Sequence, residues 1–172
     1  MRSELQVRPM TVADAAAVAK IHVAAWQHAY RGLVSQRFLD SLSISERTAK
    51  LTRSLRQVGP VRTIVAESDG QVVGFATVGP ARDEDSSTDD AELFAIYVDP
   101  ARVRLGAGRA LLSRAKEVAR EMGCRRMILW VLKDNASARA FYKRCGMRQE
   151  ATRGTSTIAG DDFVKMKYSA RL

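Results

Sequence analysis

The chain has 172 residues, 46% of them apolar and 27% charged, with a formal charge of +9, a composition that fits one globular domain with a full core. It holds no run of about 18 apolar residues, no signal-peptide core in Met1-Arg2-Ser3-Glu4-Leu5 and no zinc spacing around its two cysteines, Cys124 and Cys145. A membrane span, a leader and a metal site are therefore not expected, and a cytoplasmic chain with two free thiols is.

Leu5-Gln6-Val7-Arg8 alternates and predicts a short first strand, ended by Pro9. Thr11 and Asp14 have the spacing of a capping box. Behind them Ala15, Val18, Ala19, His22, Trp26 and Ala29 share one face of a helix that Gly32 stops. Phe38, Leu39, Leu42, Leu51 and Leu55 carry a second helical region, which Ser43-Ile44-Ser45-Glu46 interrupts and Ser45 can cap again. Gly59-Pro60 breaks the pattern, and the period then changes to two. Thr63 to Ala66 and Val72 to Val78 predict a hairpin around Asp69-Gly70. Asp83 to Glu92 follows as a loop with six acids and no base. It reads either as a solvated loop or as a rim that draws in a cationic ligand.

Ala91 to Val98 predicts a central strand. After the Asp99-Pro100 turn come Gly106 and Gly108, then a helix to Met122 with Leu111, Ala115, Val118, Ala119 and Met122 on its core face. Arg126 to Leu132 is almost continuously apolar, as a strand buried on both faces requires. Asp134 to Ser137 opens a helix that Gly146 closes. Met147 to Glu150 and Asp162 to Tyr168 are the last two strands. The sum is one α/β domain over residues 1–172, with a mixed sheet of six to seven strands flanked by about four helices.

A strand, a glycine loop and a helix start make an anion site, because the first helical N–H groups are free and the helix dipole points at the loop. Thirteen Lys and Arg stand against three acids between Ala101 and Arg148, which suits a polyanionic ligand. The loop lacks the G-x-x-x-x-G-K-[ST] of a P-loop. Asp99 to Leu105 separates strand from glycines, where a dinucleotide fingerprint needs a tight turn. No nucleic-acid motif or aromatic-basic interleaving accompanies the charge.

Two motifs carry a resemblance. Val98-Asp99-Pro100-Ala101-Arg102-Val103-Arg104-Leu105-Gly106-Ala107-Gly108 is followed about thirty residues later by Asn135-Ala136-Ser137-Ala138-Arg139-Ala140-Phe141-Tyr142-Lys143-Arg144-Cys145-Gly146-Met147. Together they resemble the acetyl-CoA loop and the N-x-x-A-x-x-F-Y-x-x-x-G segment of the GCN5-related N-acetyltransferases (GNAT). Val103-Arg104 departs from the family's usual Arg or Gln followed by Gly.

The resemblance implies an N-acetyltransferase that uses acetyl-CoA and a small-molecule or peptide amine, as monomer or homodimer, without nucleic acid or membrane. A polyamine acetyltransferase and a non-catalytic acyl-CoA-binding domain are the other readings. The resemblance assigns the pantetheine arm to the backbone of Phe94 to Val98, chiefly to Ile96, Tyr97 and Val98. It assigns the pyrophosphate to Val103, Arg104, Leu105, Gly106, Ala107, Gly108, Arg109 and Ala110. Asn135, Ala138, Phe141 and Tyr142 flank the cofactor, and Tyr142 is the expected proton donor to the leaving sulfur. Glu92 is the expected base, or else an ordinary strand-end acid. Trp26 and Tyr30, one helical turn apart, are candidate acceptor-site residues or core aromatics. His22 and His28 read as packed or surface side chains, and Cys145 lacks a histidine tied to it by motif.

Overall fold

The structure, a computed structural model, describes residues 5–103 and 106–172. Met1 to Glu4 and two assigned loop residues, Arg104 and Leu105, lie outside the described residues. Seven strands form one sheet: β1 (Leu5–Pro9), β2 (Arg62–Ser68), β3 (Gln71–Pro80), β4 (Asp90–Val98), β5 (Arg126–Leu132), β6 (Arg148–Ile158) and β7 (Asp161–Arg171). Their order across the sheet is β1-β2-β3-β4-β5-β7-β6. All neighbours are antiparallel except β4 and β5. Among the described residues five α-helices cover the faces: α1 (Ala15–Ala29), α2 (Gln36–Asp40), α3 (Ile44–Leu55), α4 (Ala107–Glu121) and α5 (Ala136–Arg144).

The apolar pattern explains the layering. Leu111, Leu112, Ala115 and Ala119 put one stripe of α4 onto Ala76, Val78, Leu93 and Met127 of the sheet. On the other face α1 packs Ala15, Val18 and Ile21 against Val65 and Phe75. The sequence pattern puts one stripe of α1 inside. Ile21, Val23 and Ala25 are buried as well, because α1 lies between the sheet and the α2–α3 pair.

Local signals are mostly where expected. Asp69 and Gly70 both have positive φ, as a type I′ turn demands. Asp14 accepts from the backbone N–H and the hydroxyl of Thr11 and pairs through two bonds with Arg8. Two expectations are corrected. Ser43, not Ser45, caps α3, accepting from the Glu46 N–H at 3.2 Å. The strand predicted over Met147 to Glu150 runs on to Ile158. His22 takes the packed place of the two expected for it, among Trp26, Phe75 and Tyr97.

Candidate active site

β4 and β5 stay paired for three residues only, Asp90 to Glu92 against Arg126 to Ile128. Beyond that point β4 keeps β3 and β5 keeps β7, so the strands part. Phe94 is the extra residue of a bulge in β4, between the Leu93 and Ala95 pairings with β3, and a bulge bends its strand. The divergence opens a cleft of about 1230 Å³. A drug-sized pocket spans ~300–1,000 Å³, so this one has room for a long ligand and a second reactant. Backbone N–H and C=O groups of β4 that would have met β5 are free to face that ligand.

One end of the cleft is the glycine loop. Asp99 turns the chain by accepting from the Ala101 N–H at 3.0 Å. Gly106, at φ +82°, is the N-cap of α4, a left-handed conformation that glycine adopts without strain. The N–H groups of Ala107, Gly108 and Arg109 form the first turn and have no partner within the helix. Gly108 lets α5 approach: a Cβ there would stand 3.3 Å from the Phe141 ring. Asn135 caps α5, its Oδ1 accepting from the Ala138 N–H at 3.2 Å. A polyanionic cofactor with an extended arm fits this end: free amides at a helix start, an open strand edge, and Arg109 and Arg144 on the walls.

The middle is aromatic. Tyr142 is 9% exposed, packed on Phe141 and Tyr168. Burial pushes its phenol well above the ordinary value, with Tyr30 and Cys145 adding to the rise, so the hydroxyl carries its proton at neutral pH. Tyr30 is also raised by burial, with Tyr97 and Asn135 as the polar neighbours that moderate the rise. Trp26 stands edge-on to Tyr30, centroids 4.7 Å apart. Its Nε1 is buried and has no hydrogen-bond partner among the described residues.

Glu92 lies where the strands part. It is 9% exposed and its Oε2 accepts from the Arg82 N–H at 3.2 Å. It is the one carboxylate among the described residues that line the cleft. The acidic loop is not simply solvated. Asp83 accepts from the Trp130 indole N–H and pairs with Lys167. Asp90 is buried and pairs with Arg126. Glu84, Asp85 and Asp89 remain exposed.

The cleft brings together Trp26, Tyr30, Glu92, Ile96, Tyr97, Val98, Val103, Gly106, Ala107, Gly108, Arg109, Asn135, Ala138, Phe141 and Tyr142. Ala110, also assigned to the cofactor loop, is not on its wall, since it is a full turn into α4. Arg102 points away and donates to Gln71. Sequence reasoning missed Arg82, Trp130, Ser156, Ile158 and Lys165. They come from four separate elements and share no motif. The alternation of Lys165 with Met166 was the only local hint.

A sequence model of the acetyltransferase (GNAT) family matches residues 18–147. An uncharacterised N-acetyltransferase of Bacillus subtilis, YuaI, is 37% identical over 138 residues, covering 80% of this chain and 76% of the relative. The fold superimposes on the PaiA N-acetyltransferase of Thermoplasma acidophilum, solved with coenzyme A, with a TM-score of 0.78. That pair is 21% identical and covers 98% and 99% of the two chains. YncA of Salmonella typhimurium, a putative acetyltransferase solved with acetyl-CoA, gives 0.72 at 25% identity, covering 97% and 93%.

Proposed function

The chain belongs to the GNAT family of acetyl-CoA-dependent N-acetyltransferases, and we propose that Glu92 and Tyr142 manage the protons of the transfer across the parted strands. The observation that carries this reading is the placement of a buried carboxylate and a buried, protonated phenol on the walls of one cleft.

Acetyl-CoA supplies the acetyl group and a thiolate leaving group. The α4 amides and Arg109 hold its phosphates, and the open edge of β4 from Ile96 to Val98 pairs with its extended arm. Asn135 and Ala138 flank that arm. Trp26 and Tyr30 wall the acceptor side. An acceptor ammonium must lose a proton before it can attack. Glu92 takes that proton, directly or through one water. A free N–H near Ile96 to Val98 donates to the carbonyl oxygen as negative charge builds there. The nitrogen sheds its second proton as the C–S bond breaks. Tyr142 donates to the departing sulfur, so one proton stays with the thiol and one is released.

Cys145 also lines the cleft, but no hydrogen bond to its sulfur is formed among the described residues, so no base activates it. The reading is direct attack in a ternary complex, with no acetyl-enzyme. Both cysteines are free, in keeping with a reducing cytoplasm. The test is acceptor-dependent thiol release with both substrates varied. Double-reciprocal lines that converge support direct transfer; parallel lines would replace it with an acetyl-enzyme.

A further inference from the structure

Two cations stand at the acceptor end of the cleft, and neither is in an ion pair among the described residues. Lys165 places its Nζ 4.4 Å from the centroid of the Trp130 ring. Its stem lies across Gly154 of β6, where a Cβ would come within 2.8 Å of Lys165 Cε. Arg82 holds its guanidinium 3.9 Å from the centroid of the Phe94 ring. That ring in turn sits over Gly79, where a Cβ would come within 2.9 Å. Each cation thus has an aromatic platform and a glycine that clears the space. A lysine or arginine that serves only solubility needs neither, and cation–π contact fixes a head group that would otherwise sample many rotamers.

The inward-facing acids of the adjoining loop are already used, while Glu84, Asp85 and Asp89 are exposed. Asp83 serves Lys167 and Trp130, and Asp90 serves Arg126. Glu92 alone brings negative charge to the described wall. A polyamine would meet two held cations on the cleft wall, and like charges so placed oppose binding.

Resting on the reading of Glu92 as the base, we infer that the acceptor is an amino acid or a close analogue: a primary amine that also carries a carboxylate. The ammonium goes to Glu92 and the carboxylate to Lys165 and Arg82. A carboxylate is matched by the arginine fork and by the lysine point charge, and both bonds are charge-assisted.

The test measures thiol release with the twenty amino acids, each paired with its amide, and with spermidine. The best amino acid is expected to exceed its amide at least tenfold in kcat/KM. Lys165→Met and Arg82→Gln are each expected to cut that ratio at least fivefold by raising the KM of the acid, and Lys165→Arg to restore most of it. Amides that match their acids, a preference for spermidine, or a ratio indifferent to Lys165→Met would overturn the inference. Quenching of tryptophan fluorescence in the CoA complex gives a second reading without turnover. Tighter binding of acid than amide supports the inference, and equal binding overturns it. Absence of thiol release with every amine would instead count against the assignment of Glu92 and Tyr142.

Discussion

Lys167 Nζ lies 3.0 Å from Asp83 Oδ2, with 5% of the lysine side chain and 20% of the aspartate exposed. The same carboxylate accepts the Trp130 indole N–H at 3.0 Å. One residue of the acidic loop therefore pins the loop to β5 and β7 and orients the indole that supports Lys165. A segment with the composition of a loose loop becomes part of the cleft wall.

Removing Asp83 leaves a buried ammonium without its counter-charge. Breaking one side of such a pair costs ~3–5 kcal/mol. Asp83→Ala is expected to lower unfolding free energy by about that amount in urea titration, and Asp83→Ala/Lys167→Met to recover most of the loss. A single variant within about 1 kcal/mol of the parent would show that water reaches the ammonium.

Tyr142→Phe keeps the ring that packs on Phe141 and Tyr168 and removes only the hydroxyl. A positioned general acid contributes ~10²–10⁴-fold. The variant is expected to lose about 10²-fold or more in kcat, with little change in acetyl-CoA binding by calorimetry. Because burial raises the phenol above its ordinary value of 10.0, its proton is kept as pH rises, and kcat should show no loss attributable to this group up to pH 9. Full activity in Tyr142→Phe would remove the residue from the mechanism.

The sheet was legible in the sequence wherever burial wrote a period into it. Arg126 to Leu132, buried on both faces, and the Asp69-Gly70 hairpin needed no tertiary information. The cofactor end was legible for another reason: it is built from two contiguous segments whose spacing the chemistry dictates. The acceptor end was not, because Arg82, Trp130, Ser156 and Lys165 come from a loop and three strands that only the sheet order makes neighbours. The second half of β6 escaped notice because an edge strand can be Thr, Ser, Gly and Arg when neither face needs to be apolar. Its turn, Ala159-Gly160, lacks the Asn or Asp that would have announced it.

Ala159 has φ 55°. The left-handed region costs a residue with a Cβ ~1–2 kcal/mol, and asparagine tolerates it better. Ala159→Asn should therefore stabilise the protein by about 0.5–1 kcal/mol, read as a higher Tm. A lower Tm would mean that the methyl group packs in a way that outweighs the backbone gain.

Gly108 faces Phe141 at 3.3 Å from a would-be Cβ, so Gly108→Val forces the ring toward the cleft or lifts the first turn of α4. Either motion displaces the amides that bind phosphate. The expected result is a loss of CoA affinity of about tenfold or more by calorimetry. Gly123→Ala, at the far end of α4, should leave that affinity unchanged. Equal CoA binding by Gly108→Val and the parent would move the phosphate site away from the helix start.

Two buried groups give acid sensitivity in separate windows. His22 is held down to about 4 by burial, with Arg47 and Lys50 adding to the effect. Arg47 can only donate, so its Nη2 contact of 3.1 Å makes His22 Nδ1 the acceptor and leaves the ring proton on Nε2. The unfolded chain binds a proton near pH 6.5 that the folded chain refuses until about pH 4. Stability is thus complete above pH 6.5 and falls as pH drops, by about 2 kcal/mol at pH 5. Asp14, lowered to about 2 chiefly by its bonds from Arg8, acts later. Its contribution of about 2 kcal/mol is complete above pH 4 and is lost as pH falls toward 2. Urea titrations at pH 7, 5 and 3 separate them. His22→Gln should flatten the step from pH 7 to 5 and Asp14→Asn the step below pH 4. A parent protein equally stable at pH 7 and 5 would show that the imidazole finds room for its proton beside Arg47.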